Sequence, residues 1–284
     1  MPEEFEPSEI RFKIRYEGGI ADKHVLPGYD GVTSIDGITR AFHIALNAYM
    51  TGEAKGRATV LNNAKIYIKP PAKGSFIFEL ICLIEAYPAT SAVISSIAAP
   101  AIYDYLKTAF NRATGKQDSE PENVTVAKIY NAKTPPTGKV PPEDLDVIAE
   151  ILEGSLQDAH RVIGDGGVTR ITISSPRTDL IEFNTDTKQW VNTQDEAATS
   201  ETFHGNVTRY NALSRNGRAY IEELGRIVPF RPDGDFPAGE FPKLTWSLHG
   251  SNTGAAKRLA LSARRVTSAS GKVKRLLLSD CALA

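Results

Sequence analysis

From Ile10 to Glu17 the chain alternates apolar and charged residues without interruption. Side chains of a strand point to opposite faces with period two. Ile10, Phe12, Ile14 and Tyr16 are therefore expected in a core, and Arg11, Lys13, Arg15 and Glu17 in water. Gly18-Gly19 stops the strand. The period then becomes helical: Ile38, Ala41, Phe42, Ala45, Leu46 and Tyr49 recur at steps of three and four and form one apolar stripe. Thr33 and Asp36 read as a capping box before it, and Gly52 as its C-terminal cap. The opposite face lines up Asp36, Arg40, His43 and Asn47.

The pattern beyond this helix predicts a strand over 58–69, a turn at Pro70 to Gly74 and a second strand over 75–85. Residues 76–84 are apolar on both faces except Glu79, as expected of a central strand covered on both sides by helices. A helix is expected over 89–113, kinked by Pro100, then a strand over 124–130. Residues 131–142, with Pro135-Pro136 and Pro141-Pro142, read as a linker-like loop. Pro142, Glu143 and Asp144 open a helix whose apolar face is Leu145, Ile148, Ile151, Leu152, Leu156, Ala159 and Ile163. Gly164 to Gly167 ends it. Strands are expected over 168–173 and within 179–190, the latter turning at Asn184 to Asp186.

From Glu201 the spacing shortens. Strand-like runs appear at 203–213, 219–224, 227–230, 244–249, 259–267 and 272–278, separated by turn residues such as Asn216-Gly217 and Pro232-Asp233-Gly234. Tyr210, Tyr220, Phe230 and Trp246 are assigned to the core of this part. The reading is thus an α+β chain. Residues 1–195 form a mixed sheet covered by helices, and residues 201–284 form a small antiparallel β-barrel or SH3-like domain.

Composition leaves this picture unchanged: 41% hydrophobic and 24% charged residues are ordinary for a globular protein. Charge refines it. The formal net charge is -1, yet residues 201–284 hold 13 Lys and Arg against 7 Asp and Glu. Lys257, Arg258, Arg264, Arg265, Lys272, Lys274 and Arg275 fall in one stretch without an acid. On a hairpin, Arg264, Lys272 and Lys274 are expected on one solvent face, where they could track a phosphate backbone or meet a protein partner. The bland alternative is a solvated or edge-guarding face. Cys82 and Cys281 stand far apart, which argues against a zinc module or disulfide framework. No basic and apolar leader precedes Glu9, so a cytoplasmic location is expected. The uncharged run 86–103 is diluted by Pro and Ser, so contact with a membrane is not expected.

Chemistry is thinly signalled. Gly164-Asp165-Gly166-Gly167 follows a helix instead of a strand, the wrong setting for a dinucleotide fingerprint. No nucleophile elbow occurs. The densest polar cluster is Asp22, His24, Asp30 and His43, residue types able to ligate a divalent metal or to pair as acid and base. Their spacing fits no metal signature, and turn bracing is the simpler reading. No cofactor is expected.

Gly-Gly-x-Ala-Asp-x-His over 18–24, Tyr29-Asp30, the helix to Thr51-Gly52 and Pro70-Pro71-x-x-Gly-Ser over 70–75 resemble an uncharacterised bacterial two-module family. In it an α+β domain precedes a small β-barrel. The resemblance implies a bacterial protein with a host-defence or mobile-element setting, and no activity. The expected function is a non-catalytic binding or scaffold protein of a multi-component system, self-associating and using its barrel on a protein partner or nucleic acid. The alternatives are a metal-dependent phosphodiester hydrolase built on Asp22, His24, Asp30 and His43, and a membrane-active effector using residues 86–110.

Overall fold

The computed structural model describes residues 8–51, 55, 56, 61, 64–69, 76–84, 95–116, 119, 145–164, 167–255, 257–268 and 271–284. The chain divides into two compact units, Met1–Lys188 and Gln189–Ala284. The expected strand over 124–130, the loop 131–142, the turn at 70–74 and the cap at Gly52 lie outside the described residues.

The first unit is built on a five-stranded sheet. Its strands are β1 (Ser8–Glu17), β2 (Ala64–Lys69), β3 (Ile77–Ile84), β4 (Arg170–Ser174) and β5 (Asp179–Phe183), in the order β2-β3-β1-β4-β5. The expected mixed sheet is corrected: every pairing in it is antiparallel. β1 is the middle strand, with Phe12 opposite Leu80 on one side and Ile14 opposite Ile173 on the other. Its inward row, Ile10, Phe12, Ile14 and Tyr16, is buried. β3 alternates fully buried Phe78, Leu80, Cys82 and Ile84 with half-buried Ile77, Glu79, Ile81 and Leu83, so only one of its faces is fully covered.

Helix α1 spans Gly28–Thr51 and starts well before the expected capping box. Thr33 is inside it, its hydroxyl donating to the Tyr29 carbonyl at 2.9 Å, one turn back. The apolar stripe packs inward, with Phe42 edge-on to Phe12 at 4.7 Å between ring centres. Asn47, expected in water, is buried. Helix α2 spans Ser95–Ala113 with Pro100 inside it. No helix among the described residues is long and apolar enough to cross a membrane. Helix α3 spans Leu145–Ala159 and packs on both α1 and α2. The α1–α3 crossing is close because small residues meet there: the Ser34 hydroxyl donates to the Ala159 carbonyl at 2.5 Å, and Gly37 faces the backbone of Ser155 and Ala159. Beyond β5 the expected turn is instead a helix start. Asn184 Oδ1 accepts from Asp186 N at 3.0 Å and Thr187 N at 3.1 Å, capping helix α4 (Thr185–Asn192).

The second unit is a closed barrel. Its strands are β6 (Asp195–Glu196), β7 (Glu201–Tyr210), β8 (Gly217–Ile221), β9 (Arg226–Pro232), β10 (Leu259–Thr267) and β11 (Val273–Leu283). β9-β8-β7-β10 follow one another, and β11 closes the ring by pairing with both β10 and β9, while β6 adds to β10. The expected all-antiparallel barrel is corrected at one seam, because β11 runs parallel to β9. The core holds Phe203, Val207, Ala219, Ile221, Val228, Phe230, Leu259, Leu261, Leu276 and Leu278. The expected strand over 244–249 is part of a helix, α5 (Phe241–Thr253), with Pro242 in its first turn and left-handed Gly254 (φ 70°) as its cap. Phe230 is core as expected, but Tyr220 and Trp246 are exposed.

Candidate functional site

Three members of the N-terminal polar cluster, Asp22, His24 and Asp30, are engaged locally. Asp22 Oδ1 accepts from the Gly18 amide at 3.0 Å and so braces the turn after β1. His24 adopts φ 63° and ends a 3-10 helix over Gly19–Lys23, its amide donating to the Ala21 carbonyl at 2.9 Å. Asp30 accepts from Arg161 Nε at 2.7 Å, and the same guanidinium lies 4.8 Å over the Tyr29 ring. His43 is half-buried on α1, and burial pushes its imidazole below the usual range, favouring the neutral ring. Among the described residues no group of three or more His, Cys, Asp or Glu side chains is placed to hold a metal ion.

Three of the seven cations of the basic stretch are neutralised by acids of the same unit. Arg258 pairs with Glu222 at 2.6 Å, Arg265 with Glu201 at 2.7 Å, and Arg264 with both Glu196 and Asp233. The shared solvent face expected for Arg264, Lys272 and Lys274 is corrected. Lys274 is only 2% exposed, and its ammonium donates to the Trp190 carbonyl at 2.9 Å and the Thr193 carbonyl at 3.2 Å. The cause is a register shift between Val266 and Thr267 against β11. Such a bulge reverses which side chains face inward, so Val273 and Leu276 both reach the core although three residues apart. Arg275 is buried too, while Lys272 stays exposed with its ammonium 5.7 Å from the Trp190 ring centre. Lys257 also meets a ring: its ammonium lies 5.1 Å from the centre of Trp246.

That contact marks a groove absent from the sequence-based candidates. A cavity of about 760 Å³ opens between the end of β7, the β7–β8 turn, α5 and the start of β10. Tyr210, Phe241 and Trp246 supply rings, and Arg215, His249 and Lys257 supply nitrogen groups. No carboxylate lines it among the described residues. Its parts are held firmly. Asn211 Oδ1 accepts from the Leu213 amide at 2.8 Å, shaping the turn that carries Arg215. Ser247 fixes α5 to the barrel by accepting from the Val207 amide at 3.0 Å and donating to the Lys257 carbonyl at 2.8 Å. Tyr210 stacks on core residue Phe230, with 6.4 Å between ring centres. Burial raises the Tyr210 phenol above its ordinary pKa, so it stays a neutral donor. Arg215 lies 4.5 Å over the Phe241 ring. The groove therefore offers aromatic faces and positive charge together, and nothing that would repel an anion. Reading 244–249 as a strand hid it. Pro242 and Gly254, framing a helix, were the signal available.

A family model for a domain of unknown function, DUF7946, matches residues 12–192, more than half of the chain. The chain belongs to this family. No curated protein and no solved structure matches the chain. The DUF7946 match runs from Phe12 in β1 to the end of α4, so it takes in the first sheet, its helices and the cluster Asp22, His24, Asp30 and His43. The match implies no activity. The barrel groove lies outside the DUF7946 segment.

Proposed function

We propose that this protein is a non-catalytic nucleic-acid-binding protein whose barrel takes the nucleic acid in the groove of Tyr210, Phe241, Trp246, Arg215 and Lys257. The observation that carries this reading is the pairing of exposed ring faces with cations in a groove free of carboxylates among the described residues. Rings bind base faces regardless of sequence, and cations bind phosphates. The connectivity supports the same reading. A three-stranded meander, a helix, and a hairpin whose last strand runs parallel to the third is the arrangement of oligonucleotide- and oligosaccharide-binding barrels. Connectivity alone assigns no ligand; the groove supplies the chemistry. The hairpin cations Arg258, Arg264 and Arg265 are secondary in this reading, because each already has a carboxylate partner.

The test is fluorescence anisotropy of the full chain with a labelled oligonucleotide in low and high salt. Binding that weakens steeply with salt and falls about tenfold or more in Trp246→Ala is expected, since a stacked base contributes about 1–3 kcal/mol. Absence of binding at low salt overturns the reading and turns attention to a protein partner.

A further inference from the structure

The geometry points to Lys257 and Arg215 as place-holders: each cation covers an aromatic ring in the free protein and is displaced from it by a base of a single-stranded nucleic acid, moving onto the adjoining phosphate. This rests on the nucleic-acid reading of the groove and adds the class of strand and the order of events.

Three observations carry it. First, the barrel treats its cations in two ways. Arg258, Arg264 and Arg265 are held by carboxylates, Arg265 also lying 5.1 Å over the Phe203 ring, whereas the two groove cations Lys257 and Arg215 have aromatic partners, Trp246 at 5.1 Å and Phe241 at 4.5 Å, and no carboxylate among the described residues. A cation over an exposed ring makes no directed hydrogen bond to it, so replacing it by a base leaves no protein donor or acceptor unpaired. Second, the Lys257 arrangement is built in. Trp246 and Gly250 are four residues apart and share one face of α5. The space a Gly250 side chain would fill is taken by the stem of Lys257, 2.5 Å from the ideal Cβ position. The stem crosses the helix there and delivers the ammonium to the ring one turn away. Third, both rings and both cations line a single cavity of about 760 Å³, ample for more than one nucleobase, and Arg215 also borders a second cavity of about 350 Å³. A cation leaving Phe241 therefore has open space to enter.

The strand must be single. A base can stack on a protein ring only with a free face, and the bases of a duplex already cover one another. Each exchange replaces a ring–cation contact by a ring–base contact and creates a cation–phosphate contact. No charge is created or lost in the exchange.

Methionine at 257 and 215 keeps the length of the stems and removes the charges. The affinity of the full-length protein for a fluorescein-labelled ten-residue oligothymidylate is measured from low to high salt for wild type, Trp246→Ala and the double variant Lys257→Met/Arg215→Met. The expected result is a salt slope in the double variant shallower by about 1.4, roughly 0.7 for each lost phosphate contact. At high salt it binds about as tightly as wild type, because the phosphate contacts are then screened and both rings remain. Loss of affinity by the same factor at every salt, with the slope unchanged, overturns the exchange and leaves the groove as a binding site through Trp246. Wild type that fails to bind the oligothymidylate overturns both readings. Equal affinity for a duplex of the same length overturns the single-strand assignment alone.

Discussion

His160 Nε2 lies 2.8 Å from the Thr187 hydroxyl, wholly inside the first unit. The other ring nitrogen, Nδ1, is 2.6 Å from the Leu156 carbonyl, which can only accept, so Nδ1 carries the proton and Nε2 accepts from Thr187. The ring is neutral, and burial depresses its pKa to about 4. An unfolded histidine titrates near 6.5, so the unfolded chain takes up this proton first. The associated stability is complete above about pH 6.5 and is lost as pH falls towards 4, about 2 kcal/mol of it by pH 5. Urea unfolding of the first unit at pH 7.5 and pH 5, followed by circular dichroism, checks this. His160→Gln, which does not titrate, should flatten the difference; an unchanged pH dependence would show that other groups cause it.

The α1–α3 crossing makes two glycines behave oppositely. An added Cβ at Gly37 would stand 2.4 Å from Ala159 N and 2.6 Å from Ser155 O, both backbone atoms. Gly37→Ala therefore forces the helices apart and should cost about 1–3 kcal/mol. Gly154, on the facing helix, meets nothing within 4 Å. Gly154→Ala should stabilise by up to about 1 kcal/mol through helix propensity. Paired denaturation curves read both signs in one experiment.

Charge reversal in the basic stretch should separate folding from binding. Lys274→Glu places a carboxylate where an ammonium now meets the Trp190 and Thr193 carbonyls, in a site 2% exposed. A loss of about 3 kcal/mol or more is expected, with poor soluble yield. Arg258→Glu turns an exposed pair with Glu222 into an exposed like-charge contact and should cost about 1 kcal/mol or less. Thermal melts of the two variants check the contrast.

Neither thiol should react in the folded protein. Cys82 and Cys281 are both buried, and burial pushes each thiol up to about 12. Nucleophilic attack needs the thiolate. A chromogenic thiol titration at pH 8 should find none in the native protein and two in denaturant. Rapid labelling without denaturant would mean that one of these cores opens readily.

Legibility in the sequence followed how local each determinant is. The buried face of β1 was readable because strict alternation is a one-dimensional signal. Helix α5 was not, because Leu244, Trp246 and Leu248 alternate with Thr245, Ser247 and His249 and imitate a strand. Asn184 was read as a turn residue, although the same side chain can cap a helix. Burial of Lys274 depends on a bulge that makes it the extra residue of β11 against Val266 and Thr267, which the hydrophobic pattern does not reveal. The groove was out of reach for the same reason. Arg215 comes from a turn and Trp246 from a helix thirty residues on, and only barrel closure brings them to one cavity.

The place of β1 in its sheet has a consequence for how the chain is made. One neighbour, β3, follows within the next 70 residues or so, but Arg170 of β4, which grips Glu17, comes 153 positions later. At a synthesis rate of about 5–20 residues per second, one edge of the middle strand stays unpaired for roughly ten seconds or more. An open apolar edge of that length invites pairing with another nascent chain. Arg11, Lys13 and Arg15 interrupt that edge at every second position. Such charges disfavour pairing with a second copy of the strand until β4 has been translated.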